Sequence, residues 1–267
     1  MHDAGGLCFY DHANFNGVMG KIRAQDLGFD ACMYMLHKTF GAPKGGGGPA
    51  VGAYGCSAEL APFLPSPVVT QSAGVYLLDY DRPQSIGRIR EFWGNVPQVI
   101  KAYSWARAMG AAGIEEAAEI SVLANNYMES RLLKIRGITK SHPNISGPRM
   151  EMTRYSIEKV TEETGITVDD LSNRMVDFGI DAPWLAHHPW LVPQPFTPEA
   201  GENYSKEDID YWIDIVEEVI REAYENPEVV KTAPHRQAIA QIHSGPLDDP
   251  QQWAMTWRAY KRKRLAK

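Results

Sequence analysis

Lys38 follows a run of mostly apolar residues, Ala31 to Leu36, after a single histidine, His37. Four consecutive glycines, Gly45 to Gly48, come shortly after it. A lone lysine is ordinarily a solvated surface charge. At the end of a buried strand, in a cleft, desolvation lowers an amine's pKa and makes it a better nucleophile toward an aldehyde. The glycines permit backbone conformations closed to other residues and let a second group come close. A Walker-type phosphate cradle is excluded, because the order GxxxxGK[ST] does not occur here. Glycine runs also occur in flexible loops, so the glycines alone decide nothing.

Asp11 ends the preceding apolar run, "LCFY" at residues 7–10. A carboxylate facing the ring nitrogen of pyridoxal phosphate keeps that nitrogen protonated, and the ring then accepts electrons from a substrate carbanion. In the same stretch, "DHAN", Ala13 is small enough to lie flat against such a ring. Asn14 could donate to its phenolic oxygen. The alternative reading of "DHAN" is an Asp/Asn-rich turn.

These residues need strands to hold them. Residues 7–10 and 31–36 are short apolar runs suited to buried strands, and both end in polar residues. That spacing predicts an α/β unit with functional groups at the carboxyl ends of strands, where open sheets place ligands. A third strand is expected in "AVGAYGCS". "APFLPSPVV" holds three prolines in nine residues, which predicts an extended surface loop. Residues 84–136 read as mostly helical, with "IGRIREFW" opening the stretch and Gly110 and Gly113 punctuating it. Within it, Ile114, Ala117, Ala118, Ser121, Val122, Ala124 and Asn125 trace a narrow face of mostly small residues that admits close packing.

Beyond "KSHPNISGPR" the texture changes. "MEMTRYSI" alternates like a strand. "TVDDLSNRMVDFGI" reads as a helix with Thr167 as N-cap and Asp170 in the capping-box position. "SKEDIDYWIDIVEEVIREAYENP" reads as a strongly amphipathic helix capped by Ser205. The boundary between two lobes is expected near residues 90–100.

Composition excludes some classes. The 267 residues are 44% hydrophobic and 22% charged, as in an ordinary globular protein with one large domain or two modest ones. A net charge of −6 does not attract nucleic acid, and no aromatic–basic stacking array is present. The basic end "KRKRLAK" reads as a solvated tail or a contact patch. No apolar run reaches the roughly 20 residues that span a bilayer, and the start lacks the pattern of a signal peptide. Cys8, Cys32 and Cys56 form no CxxC pair and read as buried thiols, which points to a reducing, cytoplasmic setting. His187 and His188 read as loop residues, because adjacent side chains of a strand diverge and no partner ligands lie nearby. His235 and His243 read as one helix surface. No metal site is expected.

Several stretches resemble one family: "YDHANFNGVMG", "DLGFDACMYMLHKTFGAPKGGGGPAVGAYG", "SIGRIREFWGN", "KAYSWARAMGAAGIEEAAEISVLANNYMESRL" and "GITVDDLSNRMVDFGIDAP". They are similar to the carboxyl-terminal half of the pyridoxal-phosphate glycine decarboxylases, the P-proteins of glycine cleavage systems, whose split versions call this chain subunit 2. The resemblance implies an α/β fold: part of a fold-type-I, aminotransferase-like large domain over residues 1–95, then linking helices and a small α+β domain over 96–267. It implies that Lys38 forms the aldimine with pyridoxal 5'-phosphate, that Asp11 pairs with the pyridine nitrogen, and that His37, Ala13 and Asn14 lie near the cofactor. It implies glycine as substrate, a lipoylated H-protein as carrier, a complementary chain that completes the site, and an oligomer. The sequence departs from the family pattern at His12 (usually Gly), Lys44 (usually His), Ala50 (usually Gly) and Met150 (usually His). It also departs at Thr197–Ser205, where the family has "EPTES". The family's large domain begins well upstream of Met1, so a sheet with raw edges and exposed apolar faces is expected. Two other readings stand beside this one. One is a non-catalytic assembly subunit. The other is a pyridoxal enzyme that acts on another amino acid without a lipoyl carrier.

Overall fold

The computed structural model of the chain describes residues 1–89, 94–180, 186, 191–241 and 256–265. His187, His188, His243 and the end of "IGRIREFW" lie outside them. The chain divides into two compact units. The first comprises residues 1–127, 147–152 and 199–206, and the second residues 128–146, 153–198 and 207–267.

The first unit holds a three-stranded sheet. Strand β1 (Phe9–His12) lies parallel to β2 (Ala31–Met35), with Phe9 opposite Ala31 and His12 opposite Tyr34. Strand β3 (Gly52–Cys56) runs antiparallel along the other edge of β2. Among the described residues the outer edge of β1 has no strand partner. Because β1 and β2 are parallel, their carboxyl ends share one edge of the sheet, and both candidate motifs sit there. The strand expected over 7–10 is shifted, so Asp11 lies inside β1 rather than past its end.

Alternation sorts the two faces. Tyr10, His12, Cys32 and Tyr34 share one face, while Phe9, Asp11, Met33 and Tyr54 share the other. On the latter face Phe9 and Tyr54 stay exposed, as does Leu7 just before the strand. On the former face an aromatic cluster forms. His12 stacks on Tyr34 at 4.9 Å between ring centroids and meets Phe15 edge-on at 4.7 Å.

Residues 68–79 correct the expectation of an extended loop that ran through Val69. They form a hairpin, β4 (Val68–Ser72) with β5 (Val75–Asp79). Its two-residue turn, Ala73 at φ 48° and Gly74 at φ 80°, has the paired positive φ that matches strand twist. Prolines stop just short of it, so the alternation "VVTQS…VYLLD" pairs freely.

The long helix α1 (Val96–Leu132) starts later than expected. Residues 84–89 are not helical, and Gly87 and Gly94 both adopt φ 83°. Gly110, at φ 67° and ψ 177°, breaks the helix where the sequence marked a join. The small-residue face is buried at Ala117, Ala118, Ser121, Ala124 and Asn125. Met19, Ala117 and Ala118 form a core on which Phe15, Trp105 and Met109 pack.

The second unit pairs a small antiparallel sheet with helices. Strands β6 (Thr139–Lys140), β7 (Tyr155–Ser156) and β8 (Pro195–Phe196) lie in that order. Most of "MEMTRYSI" is therefore not strand. Helices α2 (Glu158–Thr164), α3 (Val168–Val176), α4 (Lys206–Glu225), α5 (Pro227–Lys231) and α6 (Trp257–Leu265) complete the elements. Thr167 and Asp170 make the expected reciprocal cap on α3. Ile213, Val216, Val219 and Ile220 of α4 are buried, as its amphipathic pattern requires.

Arg174 of α3 is buried between two carboxylates, at 2.8 Å from Asp177 and 2.7 Å from Glu222. Asp177 also accepts the backbone N–H groups of His235 and Arg236 at 2.8 and 2.7 Å. That grip holds residues 235–239 as bends after Pro234, not the helix expected there. Among the described residues, no helix is long and apolar enough to cross a membrane.

Candidate functional site

Lys38 sits in a tight turn directly after β2. Its backbone N–H donates to Met35 O at 3.0 Å, and Ala42 N–H donates to Leu36 O at 3.1 Å. Leu36, Ala42, Val51 and Ala102 form a buried cluster beneath this turn, with Tyr34 and Phe40 packed against it. The apolar residues around the lysine therefore hold its backbone while the amine projects outward. The Lys38 side chain is exposed, which corrects the expectation of a desolvated strand end. Among the described residues it has neither a hydrogen bond nor an ion pair.

The glycines after Lys38 have a conformational reason. Gly45, Gly46 and Gly47 adopt φ of 51°, 65° and 97° in succession. Side-chain-bearing residues rarely enter that region, and three in a row would be strained.

Asp11, at the carboxyl end of β1, is also exposed. Its Oδ1 accepts the N–H of Ala13 at 2.8 Å, so "DHAN" is an Asx turn as well as a candidate motif. Asn14 is bonded at both ends of its amide. Oδ1 accepts Asn16 N–H at 3.1 Å, and Nδ2 donates to Glu199 Oε1 at 2.9 Å. Thr39, next to Lys38, donates its hydroxyl to Asn16 Oδ1 at 2.7 Å. His37 turns inward, with Nδ1 at 3.0 Å from Val51 O and 3.2 Å from Val51 N.

Two glutamates join this corner from segments distant in sequence. The Glu151 carboxylate lies against Gly17, where any Cβ would collide with it. Glu199 keeps part of its surface open to solvent, yet protein packs round its carboxyl. That desolvation raises its pKa above the ordinary range. The Glu151 charge adds to the rise, while the Asn14 hydrogen bond and the Lys38 charge oppose it.

The structure thus brings Lys38, Asp11, Ala13 and Asn14 to one edge, with His37 anchored to the backbone beside them. The sequence did not single out Thr39, Asn16 or the two glutamates for this corner. No local pattern links positions so far apart. The one indirect signal was position: Glu199 lies within the Thr197–Ser205 stretch, and Glu151 follows Met150, both places where the sequence departs from the family pattern.

Two features lie apart from this corner. A cavity of about 680 Å³, lined by Phe15, Tyr34, Leu36, Phe40 and Ala53 among others, opens on the aromatic face of the sheet. Asp30 accepts Cys8 N–H at 2.6 Å and lies 2.9 Å from His2 Nε2, tying the starts of β1 and β2 together.

The arrangement fits pyridoxal phosphate by its donor set. Among the described residues it offers an unpaired amine to meet the aldehyde, a carboxylate with Oδ2 unused for a ring nitrogen, and an amide with an N–H to spare.

Residues 117–242 match the family model for the glycine dehydrogenase C-terminal domain. A probable glycine dehydrogenase (decarboxylating) subunit 2 from Pyrococcus furiosus is 39% identical over 266 residues, covering 98% of this chain and 51% of that protein. The protein of the same description from Caldanaerobacter subterraneus is 39% identical over 243 residues, covering 91% and 48%. The chain therefore spans about half the length of the curated relatives it matches.

Among solved structures, the glycine decarboxylase (P-protein) of the glycine cleavage system, in inhibitor-bound form, superposes with a TM-score of 0.68. It shares 18% identity, with 82% of this chain and 49% of that chain covered. A Lactobacillus brevis glutamate decarboxylase superposes with a TM-score of 0.59 at 15% identity, covering 84% and 49%. The fold is the mixed α/β architecture of fold-type-I pyridoxal-phosphate enzymes. Along nearly its whole length the chain is similar to glycine dehydrogenase (decarboxylating) subunit 2 proteins, and it spans about half of their length.

Proposed function

We propose that this chain forms part of a pyridoxal-phosphate enzyme that decarboxylates glycine and passes the aminomethyl group to the lipoyl arm of a carrier H-protein. Residues 1–95 would be the carboxyl-terminal part of the cofactor-binding domain, and residues 96–267 the linking helices and small domain. The relatives are about twice as long. A complementary chain or segment would therefore complete the site, in a cytoplasmic oligomer.

One observation carries the reading. The unpaired Lys38 amine and the Asp11 carboxylate stand at the shared carboxyl ends of two parallel strands, in a chain 39% identical to these decarboxylating enzymes along nearly its whole length. When bound, the cofactor supplies the electron sink into which the bond to the departing carbon dioxide empties. Lys38 would hold the cofactor through its side-chain amine. Asp11 keeps the ring nitrogen protonated, Ala13 lies against the ring, Asn14 donates to the ring oxygen, and His37 lines the site from its anchor on Val51. The exposure of Lys38 and Asp11 fits a site that a second polypeptide closes, since closure excludes water from the reacting groups.

The test is exchange of labelled bicarbonate into the glycine carboxyl. This chain would be combined with its complementary portion and pyridoxal phosphate, with and without a lipoylated carrier. Exchange that the carrier stimulates and Lys38→Ala abolishes is the expected result. Carrier-independent decarboxylation of another amino acid would favour a different pyridoxal enzyme. A preparation that never takes up cofactor would make the chain an assembly subunit.

A further inference from the structure

A primary amide has two N–H donors and two acceptor lone pairs, and only its surroundings decide which end faces which way. At Asn14 both ends are committed. The oxygen accepts a backbone N–H, that of Asn16, and the nitrogen donates to a carboxylate, that of Glu199. A flipped amide would set its NH₂ against the N–H of Asn16 and its oxygen against Glu199, which is two repulsions in place of two hydrogen bonds. Asn16 is itself held by Thr39, beside Lys38. The chain of contacts therefore runs from Glu199 through Asn14 and Asn16 to the turn that carries the candidate nucleophile. Among the described residues, one N–H of Asn14 remains uncommitted.

We propose that Glu199 is a positioning residue: by accepting one N–H of Asn14, it fixes the amide so that the second N–H serves the ring oxygen of the bound cofactor. This rests on the reading of the corner as a pyridoxal-phosphate site. Glu199 does not itself touch the cofactor in this role. Glu199 is exposed as a residue, and its place in the corner rests on the 2.9 Å hydrogen bond that its carboxylate accepts from Asn14. A donor to the ring oxygen stabilises the anionic form of that oxygen. The oxygen then holds less tightly the proton it shares with the neighbouring nitrogen linked to Lys38.

The experiment reads the visible absorbance of the bound cofactor against pH. It uses this chain assembled with its complementary portion, for wild type, Glu199→Ala, Glu199→Gln and Asn14→Ala. Loss of the donor is expected to raise the pH midpoint of the visible band by about one unit in Glu199→Ala and in Asn14→Ala alike, a tenfold change in proton affinity. Glu199→Gln should return the midpoint to wild type, because the Gln carbonyl still accepts from Asn14. In the Asn14→Ala background, Glu199→Ala should add nothing. Should Glu199→Ala fail to fold, Glu199→Leu, which keeps bulk and removes the acceptor, carries the comparison in the wild-type and Asn14→Ala backgrounds.

A wild-type midpoint in Glu199→Ala would overturn the proposal. Additive shifts from the two alanine variants would overturn it too, as would a Glu199→Gln midpoint matching that of Asn14→Ala. A wild-type assembly with no visible band would overturn the underlying reading of the site, and this role with it. The two failures are therefore distinct.

Discussion

The Thr39 hydroxyl donates to Asn16 Oδ1 across 2.7 Å and so ties the turn bearing Lys38 to the loop that follows Asp11. Two strand ends that the sheet brings side by side are thereby held in register by one side-chain bond. Thr39→Val keeps the shape and removes the bond. The expected outcome is a loss of about 1 kcal/mol of stability, the ordinary worth of such a bond. Weaker cofactor uptake by the assembled protein should accompany it. Chemical denaturation and an absorbance titration with pyridoxal phosphate check the two effects.

Gly17 admits the Glu151 carboxylate, because a Cβ at that position would occupy the space the carboxylate fills. Gly17→Ala forces the flexible end of the Glu151 side chain to swing aside and should cost no more than the low end of the about 1–3 kcal/mol that overpacking costs. Glu151→Ala should relieve most of that loss when combined with it, although it adds nothing by itself. Urea melts of both single variants and the double variant give the coupling. Purely additive effects would mean that Glu151 is not seated against Gly17.

His12 is buried at 1% exposure, and among the described residues neither ring nitrogen has a hydrogen-bond partner. An unmet buried polar group costs about 1–3 kcal/mol. His12→Phe, which keeps a ring between Tyr34 and Phe15, should raise the melting temperature. Burial lowers the His12 pKa from 6.5, with the Asp11 charge opposing. The unfolded chain therefore takes up this proton first. The associated stability is complete above the ordinary histidine range and declines as pH falls through the depressed value. Melts between pH 5 and pH 8, roughly either side of a histidine's ordinary titration, should lose part of their acid slope in His12→Phe.

Arg174 neutralises two carboxylates at once in the second unit. Arg174→Ala should cost about 3–5 kcal/mol, because it strands Asp177 and Glu222. Burial alone would raise the Asp177 pKa. The backbone N–H groups of Arg236 and His235, together with Arg174, outweigh that and lower it. A depressed carboxylate stabilises the fold above its unfolded pKa, and that contribution fades as pH falls through the folded value. Acid unfolding of wild type should therefore steepen below the ordinary carboxylate range, and Asp177→Asn should flatten it. Urea midpoints from about pH 2 to about pH 6, reaching below that range, measure both.

The sequence made local features legible and distant ones not. The capping pair Thr167–Asp170 and the strand-end positions of Lys38 and Asp11 were readable because each is announced by its immediate neighbours: residues at a fixed short spacing, or an apolar run. The hairpin Val68–Ser72 with Val75–Asp79 was hidden behind the prolines just before it, although Ala73-Gly74 is a turn signal. The bends at residues 235–239 depend on Asp177, far upstream, so no local periodicity could report them. Glu199 and Glu151 reach the candidate site through the same kind of long-range approach. The exposure of Lys38 was misjudged for a related reason. An apolar run does show a buried strand, but it does not show whether the polypeptide that covers the strand's end belongs to the same stretch of sequence.

The most direct measurement is borohydride reduction of the assembled protein with pyridoxal phosphate, followed by peptide mass mapping. The expected result is a single reduced cofactor adduct on the Lys38 side chain, absent from Asp11→Ala or strongly diminished in it. An adduct on another lysine, with Lys38 unmodified, would contradict the assignment of this corner.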